Sequence, residues 1–240
     1  MADLGHDAEE HTRGGAEPAA ESRLSRRRVM TASAVVAGLG LGSVPVAAEA
    51  AAGGQAVSLG PSGTTTVEFR GRVEQSGESF ISYGYLTRAS NTEESDLFSG
   101  STLSDQTALL TAYATGELRA RTVDTSVHSL DIVGTMTIYQ RSAPGANFNQ
   151  PSSFQAGTPV ATYDMTLQDV LTVFMPNQGL PTLTGDMLQT AAQALSGSLA
   201  GQKFGRKGAR LRFFATGLGN KTADVPTTAM LEIAGNWSVE

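Results

Sequence analysis

Val127-His128-Ser129-Leu130-Asp131-Ile132-Val133-Gly134-Thr135-Met136-Thr137-Ile138-Tyr139-Gln140-Arg141 is the stretch from which the fold follows. His128, Leu130, Ile132, Gly134, Met136 and Ile138 share one face; Ser129, Asp131, Thr135, Thr137, Tyr139 and Arg141 share the other. A period of two sustained this long marks a strand with one apolar and one polar face, whereas the 3.6-residue turn of a helix would mix the two sets.

The same period extends outward in both directions. Upstream, Val67, Phe69, Gly71 and Val73 oppose Thr66, Glu68, Arg70, Arg72 and Glu74; Phe80 to Thr87 carries Ile81, Tyr83 and Tyr85 on one face. Thr107 to Leu118 places Ala108, Leu110, Ala112, Ala114 and Gly116 together, and Arg119 to Val123 continues or restarts that pairing. Downstream, Val160 to Met175 aligns Ala161, Tyr163, Met165, Leu167, Leu171 and Val173, with Asp169 in the same row. Pro176 to Thr184 reads as turn-rich. Gly185 to Leu199, with Met187, Leu188, Ala191, Ala192 and Leu195 at helical spacing, reads as the one helix. Strands Ala209 to Gly217 and Thr228 to Val239 end the chain, the second with Leu231, Ile233, Trp237 and Val239 inward. Two long polar loops follow the same reading: Arg88 to Ser104 holds one apolar island, Leu97-Phe98, and Ser142 to Thr158 carries Phe148 and Phe154 as anchors onto the body.

Seven or eight strands, short turns and at most one short helix predict an all-β fold. A single antiparallel β-barrel of about eight strands over residues 65–240 is expected, with a β-sandwich as the alternative. Trp237 on the last strand suggests that this strand pairs back to close the sheet. The succession of strands is similar to that of allene oxide cyclase and dirigent-like barrels. The resemblance implies an eight-stranded fold with an apolar lumen; no catalytic motif corresponds residue by residue.

Ser25-Arg26-Arg27-Arg28-Val29-Met30 precedes a weakly apolar run to Ala48. Ser25, Arg26, Arg27, Val29 and Met30 resemble the bacterial twin-arginine (Tat) export signal, with Thr31 where a basic residue is usual. Two small-x-small sites follow, Ala48-Glu49-Ala50 and Val46-Ala47-Ala48, so that cleavage falls after Ala50 or Ala48. Residues 1–50 are therefore expected to be a cleaved signal and 51–64 a flexible Gly-rich leader. The expected location is secreted, periplasmic or cell-envelope, with the Tat translocase as partner during export. Gly38, Gly40, Gly42, Ser43 and Pro45 make the apolar run a poor membrane span, so no stable insertion is expected after cleavage.

The chain has no cysteine, which excludes disulfides, thiolate metal sites, iron–sulfur clusters and a cysteine nucleophile. Of three histidines only His128 lies beyond the signal, so zinc sites built on several histidines are excluded and no metal or other cofactor is expected. From Ala51 onward, 16 Asp and Glu face 12 Lys and Arg, a mildly acidic balance that points away from nucleic acid. The one basic cluster, Lys203, Arg206, Lys207, Arg210 and Arg212 with Phe204, Phe213 and Phe214 interleaved, reads as a turn followed by the solvated face of a strand.

Two titratable residues sit in apolar rows. Asp169 must be paired, hydrogen-bonded or protonated there, and such carboxyls gather at functional sites. His128 opens its row, where it can serve as acid or base near neutral pH or simply end the strand. Tyr83, Tyr85, Tyr113, Tyr139 and Tyr163 are candidates to line a cavity and present hydroxyls to a ligand, or to pack within the sheet faces. No Gly-x-Ser-x-Gly elbow is present. The leading expectation is an exported barrel that binds a small apolar ligand or an envelope partner. The alternatives are a cofactor-independent isomerase or cyclase acting in the lumen, and a structural surface protein.

Overall fold

The computed structural model describes residues 55–56, 61–221 and 228–240. The export motif Ser25, Arg26, Arg27, Val29 and Met30, and both cleavage positions, Ala48 and Ala50, lie outside the described residues.

In chain order the strands are β1 (Gln55–Ala56), β2 (Thr65–Ser76), β3 (Ser79–Ala89), β4 (Leu110–Asp124), β5 (Val127–Gln140), β6 (Thr158–Met175), β7 (Gln178–Ala192), β8 (Gln202–Lys203), β9 (Arg210–Lys221) and β10 (Thr228–Val239). Eight of them form a closed antiparallel barrel in the order β10-β2-β3-β4-β5-β6-β7-β9. The short β1 and β8 pair in parallel outside it. Closure runs between β10 and β2, where Trp237 pairs with Val67 and Leu231 with Val73. The barrel is thus a ring of four hairpins. The connections β2–β3, β4–β5, β6–β7 and β9–β10 all fall at one end, the turn end, and the long connections 90–109, 141–157 and 193–209 fall at the other, the loop end.

The expected helix at Gly185–Leu199 is not one. Gly185 to Ala192 belongs to β7, and only a single 3-10 turn, Gly197–Leu199, occurs within the rest. The turn-rich reading of Pro176 to Thr184 shrinks likewise to Pro176 and Asn177, since β7 begins at Gln178. Met187 and Gln189 point into the lumen while Leu188 between them is 38% exposed. The helical spacing of these residues was coincidental; β7 is hydrogen-bonded along both edges, to β6 and β9, and that pairing overrides local propensity. The only α-helix among the described residues is α1 (Glu94–Leu97), one turn within the first long loop.

Inward rows follow the predicted alternation on β2, β5, β6 and β10. On β3 the predicted face is the outer one: Phe80, Ser82, Gly84 and Leu86 pair with the inward Gln75, Val73, Gly71 and Phe69. Tyr83 and Tyr85 therefore point away from the lumen. They are nevertheless buried, because the two long loops fold over the outside of β3 and β4. Phe148 and Phe154 pack on Tyr83 at ring distances of 5.9 and 5.2 Å, and Phe98 packs on Tyr85 at 6.0 Å. Polar bonds hold this flap: the Thr111 hydroxyl donates to the Phe154 carbonyl at 2.8 Å, and the Arg141 guanidinium donates to the carbonyls of Ser153 and Ala143. The anchors expected in the loops are thus in place.

Inward glycines recur on every barrel strand except β6, and three pairs, Gly71 with Gly84, Gly116 with Gly134 and Gly179 with Gly219, face each other across neighbouring strands. At such sites the sheet bends sharply enough that backbone meets backbone. A Cβ on Gly134 would strike the Thr115 carbonyl and lie 2.7 Å from the Gly116 Cα. Gly134→Val is expected to destabilise the barrel by about 3 kcal/mol or more, read as a lowered urea midpoint at unchanged m-value.

Candidate functional site

The lumen is filled at its loop end and hollow toward its turn end. Trp237, Tyr163, Phe69 and Phe213 form an aromatic floor, with ring distances of 5.3 to 5.9 Å along the chain Phe213–Phe69–Trp237–Tyr163. Gln189, 1% exposed, seals this end: its Nε2 donates to the carbonyls of Phe204 (2.7 Å) and Ala191 (3.0 Å), and its Oε1 accepts from the Arg206 N–H (3.0 Å). The 193–209 connection is thereby fastened beneath the barrel.

Two small apolar voids remain above the floor. The larger, about 50 Å³, is lined by side chains including Val73, Phe80, Ile132, Met136, Met165, Leu167, Leu183 and Ile233. The smaller, about 30 Å³, lies between Phe69, Ala112, Ala114, Met136, Phe213 and Trp237. Met136 and Phe213 border both. At the turn end a wide mouth pocket of about 500 Å³ is bounded by Glu74, Gln75, Ser76, Ser79, Phe80, Ile81, Asn220 and Thr228 to Met230. Phe80, 8% exposed, borders both the mouth and the larger void and stands between them.

Asp169 lies in the lumen wall, 3% exposed, directly across from Leu130 on β5 and from Leu183 on β7. Its Oδ1 is buried without a hydrogen-bond partner. Burial pushes its carboxyl up to about 7, against a smaller opposing pull from a backbone hydrogen bond at Thr182. His128 is also inward and 6% exposed, and pairs with Leu171, so His128 and Asp169 are diagonal neighbours on one face.

Arg121 is a member of this group that sequence alternation missed. Continued from Leu118, strict alternation turns Ala120 inward and Arg121 outward; a register shift between Leu118 and Ala120 reverses this and sets Arg121 opposite Leu130, on the face of Asp169. The Arg121 Nε is buried without a hydrogen-bond partner. Arg121 and Asp169 therefore flank Leu130, each with an unpaired polar atom, and no ion pair joins them.

The tyrosines divide. Tyr163 is inward and completely buried. Tyr83, Tyr85, Tyr113 and Tyr139 lie on the outer face. The Tyr83 hydroxyl donates to Glu74 Oε1 and is pushed up to about 12, by burial first and by Glu74 second. Of the tyrosines envisaged as ligand-binding, Tyr83 and Tyr85 carry their rings against the loop flap and Tyr139 lies on the outer face of β5. In the basic cluster, Phe204 and Phe213 are buried, Phe214 is 43% exposed, and Arg212 is paired with Asp186 (2.6 Å) and Glu240 (3.1 Å). Exposed apolar side chains gather at the turn end instead, among them Phe174, Met175, Leu180 and Leu218.

Comparison with known protein families, with curated sequences and with solved structures finds no match for this chain.

The Asp169 carboxyl has a testable signature. Its folded-state value lies above the unfolded one, so the folded state binds the proton more tightly. The stability that this proton confers is complete below about pH 4 and is lost as pH rises toward 7. Asp169→Asn, which carries no such proton, is expected to gain on the order of 2–4 kcal/mol relative to the parent between pH 4 and pH 8. Paired denaturation curves across that range check this; a pH-independent difference would place the carboxyl near its ordinary value.

Proposed function

We propose that this protein is an exported β-barrel that binds a small, mostly apolar ligand in its lumen. The observation that carries the reading is Asp169. A buried carboxyl with an unpaired oxygen costs about 1–3 kcal/mol relative to a satisfied group, and leucine would fill the same wall without that cost. Unpaired polar atoms on both sides of Leu130, Asp169 Oδ1 and Arg121 Nε, suit a single neutral polar group such as a hydroxyl, which donates to the carboxyl and accepts from the guanidinium. The mouth pocket has the size of ordinary small-molecule sites, whereas the voids behind it admit only a chain of a few atoms. Ser25, Arg26, Arg27, Val29 and Met30 support export through the Tat route, by which this binding would occur outside the cytoplasm.

Native mass spectrometry of the mature protein isolated gently from its own host tests the reading. A retained small molecule is expected, released on denaturation and lost in Asp169→Leu, while that variant itself becomes more stable at pH 8. Retention of the same ligand by Asp169→Leu would remove Asp169 from the site, and a clean apo mass would count against ligand binding.

Isomerisation or cyclisation of the bound molecule without a cofactor is the second reading, favoured by the convergence of Asp169 and His128 on one dry face. A carboxyl held near 7 is half protonated at neutral pH and can both give and take a proton. Incubation of the released ligand with protein in D2O is then expected to introduce deuterium, and Asp169→Asn to abolish it; unlabelled ligand would leave binding alone.

A further inference from the structure

We infer that the floor of the lumen is a second polar contact, where the Trp237 indole N–H and the Tyr163 hydroxyl donate to an oxygen acceptor carried at the buried tip of the ligand. This rests on the lumen-binding reading above.

Trp237 is 1% exposed and Tyr163 is fully buried, their rings 5.8 Å apart, and neither Nε1 nor the hydroxyl has a hydrogen-bond partner. Buried indole and phenol groups ordinarily find partners. The environment is able to supply them: Gln189, which faces Tyr163 across the strand pair, satisfies its amide three times over. The two orphan groups are therefore a local exception in a floor otherwise well bonded.

The chemistry of the missing partner follows from the groups themselves. An indole N–H only donates, so what it lacks is an acceptor. Burial raises the Tyr163 hydroxyl far above its usual range, so it stays a neutral donor at any physiological pH. The charged side chains that face the lumen, Arg121 and Asp169, lie toward the turn end together with His128, so no cation stands at the floor to balance an anion. The acceptor is accordingly neutral: a ketone, aldehyde, ether or alcohol oxygen. The void that Trp237 borders, about 30 Å³, has room for such an oxygen and its carbon. It is separated from the larger void mainly by Met136 and Phe213, and an unbranched methionine turns aside more easily than a branched or aromatic side chain. An apolar chain entering past Phe80 would reach the floor once Met136 turns aside.

Trp237 is the chain's single tryptophan, so the protein has one indole N–H signal in a ¹⁵N-correlated NMR spectrum. The exported protein is titrated with 2-heptanone and, separately, with 2-methyl-1-heptene, which replaces the carbonyl oxygen by a methylene of the same shape. The ketone is expected to move the indole signal downfield in a saturable way, and the alkene to bind without that shift. Tyr163→Phe is expected to weaken the ketone about 3- to 10-fold, the worth of one hydrogen bond, and to leave the alkene unchanged. Binding of both probes with no indole shift, or equal weakening of both by Tyr163→Phe, would overturn the inference while leaving lumen binding intact. A resident water on the indole N–H that neither probe displaces would overturn it as well. Failure of both probes to bind would bring down the lumen-binding reading and this inference with it.

Discussion

Closure of the sheet between β10 and β2 is the constraint on which the rest of the molecule depends. An open sheet of eight strands would leave two unpaired edges and one apolar face without cover. Pairing Trp237 with Val67 and Leu231 with Val73 removes both edges and turns the apolar face into a lumen. Closure also sets what may point inward. A barrel of eight strands has an interior just wide enough for side chains, so the large residues Trp237, Tyr163, Phe69 and Phe213 must share their levels with glycine and alanine. The inward glycines are the counterpart of the aromatic floor: they let the strands bend, and they make room for the rings opposite.

That constraint explains which parts of the sequence could be read and which could not. β5, β6 and β10 carry large apolar residues inward and polar residues outward, so a period of two identifies both strand and face. β7 inverts the pattern, with Gly179, Pro181 and Gly185 inward and Leu180 and Leu188 outward. Its apolar residues therefore lie at spacings that imitate a helix. On β3 the error was one of face. Ile81, Tyr83 and Tyr85 are the larger apolar set, but the smaller set Ser82 and Gly84 lines the narrow lumen, and the tyrosines are buried by loops whose docking no local pattern announces. Arg121 was hidden by the one-residue irregularity after Leu118, since such a shift reverses every face beyond it.

The site was legible in part for the same reason. Asp169 is a polar residue in an unbroken apolar row, a local signal, and its burial follows once the row is inward. The unpaired state of Trp237 and Tyr163 is a property of tertiary packing and leaves no trace in spacing. Neither does the mouth, which is assembled from the ends of β2, β3, β9 and β10, strands far apart in the chain.

The two ends of the lumen differ in a way that bears on selectivity. At the turn end the unpaired oxygen belongs to Asp169, a carboxyl pushed up by burial, so its hydrogen bonding changes with pH. At the floor the unpaired groups are neutral donors, insensitive to pH, in the driest part of the barrel. A hydrogen bond is worth most where water cannot compete for either partner, and an unmade one costs most there too. For a ligand that reached the floor, discrimination by a single oxygen would therefore fall to Trp237 and Tyr163.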